Sequence, residues 1–487
     1  MVTTAPLVGR ATLAGALLLG ACTEVVVIAP VIDSPPPGSA AAAFPDLDTI
    51  ELSIALAGEP DDLVTASFKR GEKLELPGVP YGENLVIHMI GRLDGAEVAA
   101  GRTCRFAVRT GEAPPSPHLY FARTVKWATA GTPPSALRDG ATALTDRDGS
   151  GLYIGGVDPG AIPIIGVDRF DTANGRFEEL ASVVPRRNGA AAQLGDGRIV
   201  IGGGTAQNGQ PVAVLELLTV ESATGPRVEV IPDSPLVGHS APAFVSLSDG
   251  RVVAFGGSDA ASAPIGQLVE ISADGAGVTQ RVLQRAALAI PRKGHTATRL
   301  TDDLGAPVLL LGGLDAMNQP VARAELYKPL LEEMAPAAQF APLMRVPRHD
   351  HEAVRLPDGS VLIVGGLDAS GVPVRTLELF TFDSGFVEAG TLPLTAGIID
   401  FSVTTLPDGR ILIAGGRDAF NNPVATAFVV RLDPLGGGID IVTTDRLATP
   451  RTRHQATLLC DGTVMLVGGT LIAAPSERYN PPAAGRR

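Results

Sequence analysis

The sequence predicts an all-β chain, a propeller of seven four-stranded sheets preceded by a small β-sandwich-like domain. Three observations predict it. The first is a repeat: glycine doublets ending an apolar run stand at Gly155-Gly156, Gly202-Gly203, Gly256-Gly257, Gly312-Gly313, Gly365-Gly366, Gly415-Gly416 and Gly468-Gly469, spaced by 47, 54, 56, 53, 50 and 53 residues. A period near 50 marks one supersecondary unit that buries its apolar faces against its neighbours. The second is the local pattern around each doublet. In the fifth copy His351 to Leu356 reads as a strand, Asp358-Gly359 as a hairpin turn and Val361 to Val364 as a strand buried on both faces. A loop with a recurring proline, a third strand over Arg375 to Phe380 and a ragged fourth over Phe386 to Leu392 complete it. The third is that the ends of the repeat region are complementary. The chain stops soon after Ser476 to Pro481, a third strand, and Phe121 to Trp127 precedes the first copy as an isolated fourth strand.

The elements follow in order. Residues 1–21 carry one charge, Arg10, ahead of a short apolar stretch. That is too short to span a bilayer and is expected to be a signal peptide. Leu19-Gly20-Ala21-Cys22 resembles a bacterial lipobox, which implies lipidation of Cys22 and an outer-membrane lipoprotein facing the periplasm or the cell surface. Residues 22–45 are rich in proline, alanine and serine and are expected to form a tether with no place in a core. Short alternating runs over 46–111 predict the small β domain. A Pro-rich hinge over 112–117 separates it from the propeller at 119–487, with 119–129 closing the last blade.

Composition excludes several alternatives. Gly 57 and Pro 40 make about a fifth of the 487 residues, turn-rich but short of low-complexity disorder. Only 19% of residues are charged, which argues against long solvated helices. The net charge of −13 makes a poor partner for nucleic acid. Nothing in the pattern asks for a second copy, and a monomer is expected. Besides Cys22 the cysteines are Cys104 and Cys460. An oxidising compartment permits them to bridge. Because Cys460 stands where sister repeats carry Pro357 and Pro407, two free thiols are the favoured reading.

Pro347-Arg348-His349-Asp350-His351 and Pro450-Arg451-Thr452-Arg453-His454 each lead to an Asp-Gly turn and then Gly-Gly, and strand three carries Glu216, Glu270, Glu325, Glu378 or Glu477. In these features the chain resembles the kelch repeats, and its Asp-Gly turns resemble those of galactose oxidase. The resemblance implies a seven-bladed kelch-type propeller over about three quarters of the chain. Galactose oxidase chemistry would require a copper ion, a Tyr cross-linked to a Cys, and Tyr and His ligands. Here Tyr81, Tyr120, Tyr153, Tyr327 and Tyr479 are scattered, so no cofactor is expected.

Candidate site residues lie on the face formed by the four-to-one and two-to-three loops. One loop type brings Arg186, Arg187, Arg292, Lys293, Arg348, Arg451 and Arg453; the other brings Asp158, Asp259, Asp315, Asp368 and Asp418, with Arg417 and Phe420 beside them. The favoured reading of the repeated set is structural, each Arg pairing with an Asp of a neighbouring blade or capping its loop. His239, His295, His351 and His454 recur at the start of strand one, each in a different blade, and no metal site is expected. No acid, base and nucleophile converge in the sequence, so no catalytic residue is assigned. The expectation is a non-catalytic module binding a protein or glycan at the cell envelope through Arg186, Arg292, Arg348, Arg417, Phe420, Arg451 and the Asp set. The alternative is a kelch-fold enzyme acting on a carbohydrate, oxidase or epimerase-like.

Overall fold

The computed structural model describes residues 25–482 apart from 76–77, 132, 222–223, 232–233, 237–238, 276, 337–342, 433–438 and 471–473. Among the described residues every regular element is a strand except one 3-10 turn at Phe44–Asp46. Seven four-stranded antiparallel sheets follow one another along the chain. The first is Thr142–Thr145, Gly151–Ile154, Gly166–Asp171 and Arg176–Ser182. In the seventh, Gln455–Leu458, Val464–Val467 and Glu477–Asn480 take their fourth strand from Lys126–Thr129, with Trp127 opposite Tyr479. The first strands of successive sheets are neighbours, and the seventh again meets the first. They therefore line the axis of a closed, kelch-type seven-bladed propeller.

The sequence explains the layering. Each second strand is apolar at every position, and Val361, Leu362, Ile363 and Val364 are all fully buried because a blade packs on both of their faces. The clusters that hold the ring lie between blades: Leu309 and Leu311 of the fourth pack with Val361, Ile363 and Phe380 of the fifth. The doublets are needed for close approach. Gly365 and Gly366 have φ of +62° and +83°, and a Cβ on Gly366 would stand 2.6 Å from the His349 carbonyl oxygen. In the second blade this left-handed pair is Gly203-Gly204 (φ +62° and +83°), while Gly202 is the last residue of a strand. The doublet expected at 202–203 thus lies one residue later, the triple glycine having concealed the register.

The N-terminal domain is built on a six-stranded sheet of Thr49–Leu56, Asp62–Lys69, Gly82–Leu93, Ala96–Arg102, Phe106–Val108 and Ala122–Arg123. Val25–Val26 pairs with Val79–Pro80 against the same core. Two boundaries differ from expectation. The segment expected as a free tether is tied in: Val31–Asp33 runs parallel to His118–Tyr120, and Ile28, Ala41 and Ala43 are buried. Alanine is small enough to sit beneath a sheet, which a Pro/Ala/Ser composition does not reveal. Residues 118–123 likewise pair with this domain, so the ring's closing strand is confined to Lys126–Thr129.

The two parts meet on the face of the one-to-two turns. Cys104 and Cys460 are joined in a disulfide with Cα atoms 5.0 Å apart, so the expected free thiols are bonded. The turn that carries Cys460 faces the N-terminal domain, a proximity hidden by a separation of 356 residues. Asn480 Nδ2 donates to the carbonyls of Ala100 (3.0 Å) and Ala122 (2.8 Å), and the Arg478 guanidinium lies 3.9 Å over the Tyr120 ring. The opposite face is left to the four-to-one and two-to-three loops.

Candidate functional site

The repeated charges are used up within the blades. Arg348 Nη2 donates to Glu378 Oε1 at 2.6 Å and Arg451 Nη2 to Glu477 Oε1 at 2.7 Å; Arg186 pairs with Glu216, Arg292 with Glu325, and Arg138 with Asp168 at 2.7 Å. Both partners are buried in every pair. Each carboxylate belongs to the third strand of the same blade, and each guanidinium also donates to the carbonyl of the first doublet glycine. The expected pairing with an Asp of the next blade is therefore corrected. In the third blade His239 takes the Arg position, its Nδ1 2.9 Å from the Gly256 oxygen, and Glu270 sits out of register, paired instead with Arg251 and Arg281. In the sixth the position is Ile398, and Phe428 stands where the others place a carboxylate.

The Asp set caps its own loops. Oδ1 of Asp259, Asp315, Asp368 and Asp418 accepts from the backbone N–H groups two and four residues on, at 2.8–2.9 Å, and Asp158 does the same. Of the residues expected to face a ligand, Arg186, Arg292, Arg348 and Arg451 are enclosed. Arg417 and Phe420 remain on the face, Phe420 with 84% of its surface exposed.

What gathers at the axis is a different group, set by one residue in each four-to-one loop. Gly140, Asn188, Ala241, Gly294, Asp350, Asp400 and Arg453 all have positive φ and stand at or just before the start of the first strands. Consecutive loops are hydrogen bonded there, Asp350 N to Gly294 O at 2.9 Å and Arg453 N to Asp400 O at 2.8 Å. Arg417 Nε pairs with Asp400, and Arg453 reaches both Asp400 and Asp139 at 3.4 Å. His349 Nδ1 lies 2.8 Å from Asp350 Oδ2. Desolvation, with Asp400 nearby, raises the Asp139 carboxyl above the usual carboxylate range in spite of Arg453.

Glu352 is the centre of this group. The matching positions in the other blades are Thr142, Ala190, Ala243, Thr296, Ser402 and Gln455, none of them ionisable. Two of their hydroxyls are occupied by the next blade's histidine: Thr296 Oγ1 is 3.0 Å from His351 Nε2 and Ser402 Oγ 2.8 Å from His454 Nε2. The blade after Glu352 offers Phe401 instead. Glu352 is accessible to water but crowded by protein, and among the described residues no cation pairs with it. Desolvation first, then the charges of Asp400 and Asp350, push its carboxyl up to about 7. Sequence reading missed it because it is not a repeated residue; the signal was that absence of repetition, one carboxylate at a position otherwise small or neutral.

His351 and His454 are buried and His295 half-buried, each against the preceding doublet, and all three are held neutral, desolvation pushing each down to about 3. Among the described residues no three His, Cys, Asp or Glu side chains are placed to hold a metal. Tyr153, Tyr327 and Tyr479 lie in blade cores, Tyr120 lies in the contact between the N-terminal domain and Arg478, and Cys104 and Cys460 are bonded to each other. These residues do not fit a copper centre of tyrosine, histidine and a Tyr–Cys cross-link.

No family model matches the sequence, and neither does any curated protein. Solved structures do match. A fungal alcohol oxidase of the AA5 family, determined with copper, superposes with a TM-score of 0.53 at 16% identity, over 74% of this chain and 77% of that one. The structure of YjhT aligns with a TM-score of 0.42 at 10% identity, over 71% of this chain and 94% of that one. The first likeness is to a catalytic protein, and it corrects the expectation of a non-catalytic recognition module. At 16% identity what it shows of this chain is the fold, a kelch-type propeller of the galactose oxidase shape.

Proposed function

We propose that the chain is a kelch-fold enzyme that acts on a carbohydrate by acid–base chemistry at the axial mouth, with Glu352 as the proton-transferring group. One observation carries the reading: among the described residues no cation pairs with the exposed Glu352 carboxylate at the start of the fifth blade's first strand, and Asp350 and Asp400 crowd it with like charge, which with desolvation pushes it up to about 7. A group whose pKa lies near the working pH can both take and return a proton, which epimerisation or ring opening of a sugar requires. Asp400, held by Arg417 and Arg453, is a positioning residue whose charge keeps the Glu352 proton on. Phe420 stands on the same face as an apolar platform for a sugar ring. Copper oxidation of an alcohol, a chemistry suggested by the fungal neighbour's description, has no matching set among the described residues.

The test is a panel of reducing sugars and uronic acids incubated in deuterium oxide, read by NMR for label at carbon and for anomeric exchange. Wild type is expected to exchange at least one sugar with a rate that changes through pH 7; Glu352→Gln abolishes it, and Asp400→Asn shifts the transition to lower pH. No exchange with any sugar, or equal exchange by Glu352→Gln, refutes the reading. The address is part of the proposal: a chain lipidated at Cys22, held at the outer membrane and working on an envelope glycan. It is supported by the lipobox resemblance of residues 19–22, which lie outside the described residues.

A further inference from the structure

We propose that the Cys104–Cys460 disulfide is a redox lock on ring closure: oxidised, it holds the closing strand in place, and reduced, it lets that seam open while the other blades stay folded. Its position carries the inference. The ring is closed by pairing Lys126–Thr129, made early in the chain, with Glu477–Asn480, made last. Cys104 lies shortly before the first of these strands and Cys460 shortly before the second. The bridge therefore ties together the two chain segments that the seam joins. Cys460 also donates its backbone N–H to Gly149 O at 3.0 Å, so the bonded residue abuts the first blade as well as the seventh. The turn itself does not require a thiol, since sister turns place Pro357 and Pro407 there.

The effect follows from loop closure. Without the bridge the two strands of the seam are separated by about 350 residues of chain; through the bridge the path is about 40 residues, from Cys104 to Lys126 and from Cys460 to Asn480. Because the blades between the two strands stay folded, the bridge acts by keeping the two loosened segments on short tethers of about 20 residues each, which favours their re-pairing over the open seam. The non-covalent contacts at the same place, Asn480 to Ala100 and Ala122 and Arg478 over Tyr120, keep the reduced seam formed most of the time. Reduction thus changes an opening equilibrium and does not unfold the protein. Both cysteines are half-buried and within reach of a small dithiol. In that step a dithiol thiolate attacks one sulfur, the Cys104–Cys460 bond breaks, two electrons pass from the dithiol, which closes to its own cyclic disulfide, and the released cysteines take up two protons. Forming the lock is the reverse, with a disulfide-bearing exchange catalyst or oxidised glutathione as the two-electron acceptor, and so belongs to an oxidising compartment.

The experiment uses the folded full-length chain, oxidised or treated with dithiothreitol, with thiol counting to establish the state and hydrogen–deuterium exchange as the readout. Reduction is expected to speed exchange at Lys126–Thr129 and Glu477–Asn480 severalfold while Val252–Phe255 of the third blade is unchanged. Cys104→Ser should show the fast seam with or without dithiothreitol. A seam whose exchange does not respond to reduction overturns the proposal. So does an equal acceleration in every blade, which would make the bridge a global staple, or two free thiols in the oxidised protein. Because reduction is applied after folding, a variant that folds poorly does not decide the matter.

Discussion

Replacing Arg348 with Met tests whether the buried pairs hold the blades. The guanidinium donates to Glu378 at 2.6 Å, to the carbonyls of Gly365 (3.1 Å) and Thr376 (2.9 Å), and through Nε to Val346 O at 3.1 Å. Met fills a similar volume and supplies none of these. Glu378 would be left enclosed with two donors, the backbone N–H groups of Arg345 (2.8 Å) and Val346 (3.0 Å). Stranding one partner of a buried pair costs about 3–5 kcal/mol. Removing both charges should cost less than the two single changes together, because the sixth blade is built without the pair, on Ile398 and Phe428. The double variant Arg348→Met with Glu378→Leu is therefore expected to show a coupling of about 2 kcal/mol or more. Equilibrium urea unfolding reads it through Trp127, the one tryptophan, whose ring lies tilted with its centroid 4.9 Å from that of Tyr479 in the closing sheet. A loss below about 1 kcal/mol for Arg348→Met, or strict additivity in the double variant, would refute the reasoning.

Acid should unfold the ring through its histidines. The pKa values of His295, His351 and His454 fall from an ordinary 6.5 to about 3 in the folded chain, so the unfolded state binds more protons between those limits. Stability is then complete above about pH 6.5 and is lost as the pH falls toward 3, with a slope of up to about 4 kcal/mol per pH unit for three sites; replacing His351 and His454 with Gln should flatten a pH series of urea midpoints, and an unchanged slope would count against burial of the neutral rings. For the address, Cys22→Ala should abolish metabolic palmitate labelling and detergent partitioning and leave the urea midpoint of the propeller unchanged; labelling that persists in the variant ends the lipoprotein proposal.

The fold was legible because a repeat states its own period. Seven glycine doublets and two complementary ends specify the ring, and the one misplaced doublet fell where three glycines made the register ambiguous. What escaped were features that depend on distant chain meeting in space. Ala41 and Ala43 look like linker until a sheet covers them, and the Cys104–Cys460 bridge spans 356 residues. The sequence offers Arg186, Arg292, Arg348 and Arg451 both as structural caps and as a binding face, and hides their partner: a third-strand glutamate of the same blade is some 30 residues away, and only the fold brings it to the loop.

The candidate site shows a more general difference between scaffold and chemistry on a repeat protein. A residue present in nearly every blade solves a problem that every blade has, as Arg348 and its equivalents do. Function has to break that symmetry, since a ligand on the axis meets seven copies of one surface. Here the break is concentrated between the fifth and sixth blades. The fifth places Glu352 at the axial position, the sixth replaces the neighbouring histidine with Phe401 and so removes the partner that position has in other blades, and Asp350 and Asp400 add like charge on both sides. The same sixth blade has exchanged its buried Arg–Glu pair for Ile398 and Phe428 and presents Arg417 to Asp400. A blade that has lost both repeated polar devices and gained a cation aimed at the axis has departed from its sisters in a coordinated way. If the chain acts on a sugar, grafting the fifth blade's Arg and Glu onto positions 398 and 428 should restore the regular pair and leave exchange intact, whereas Phe401→His should give Glu352 a partner and suppress it.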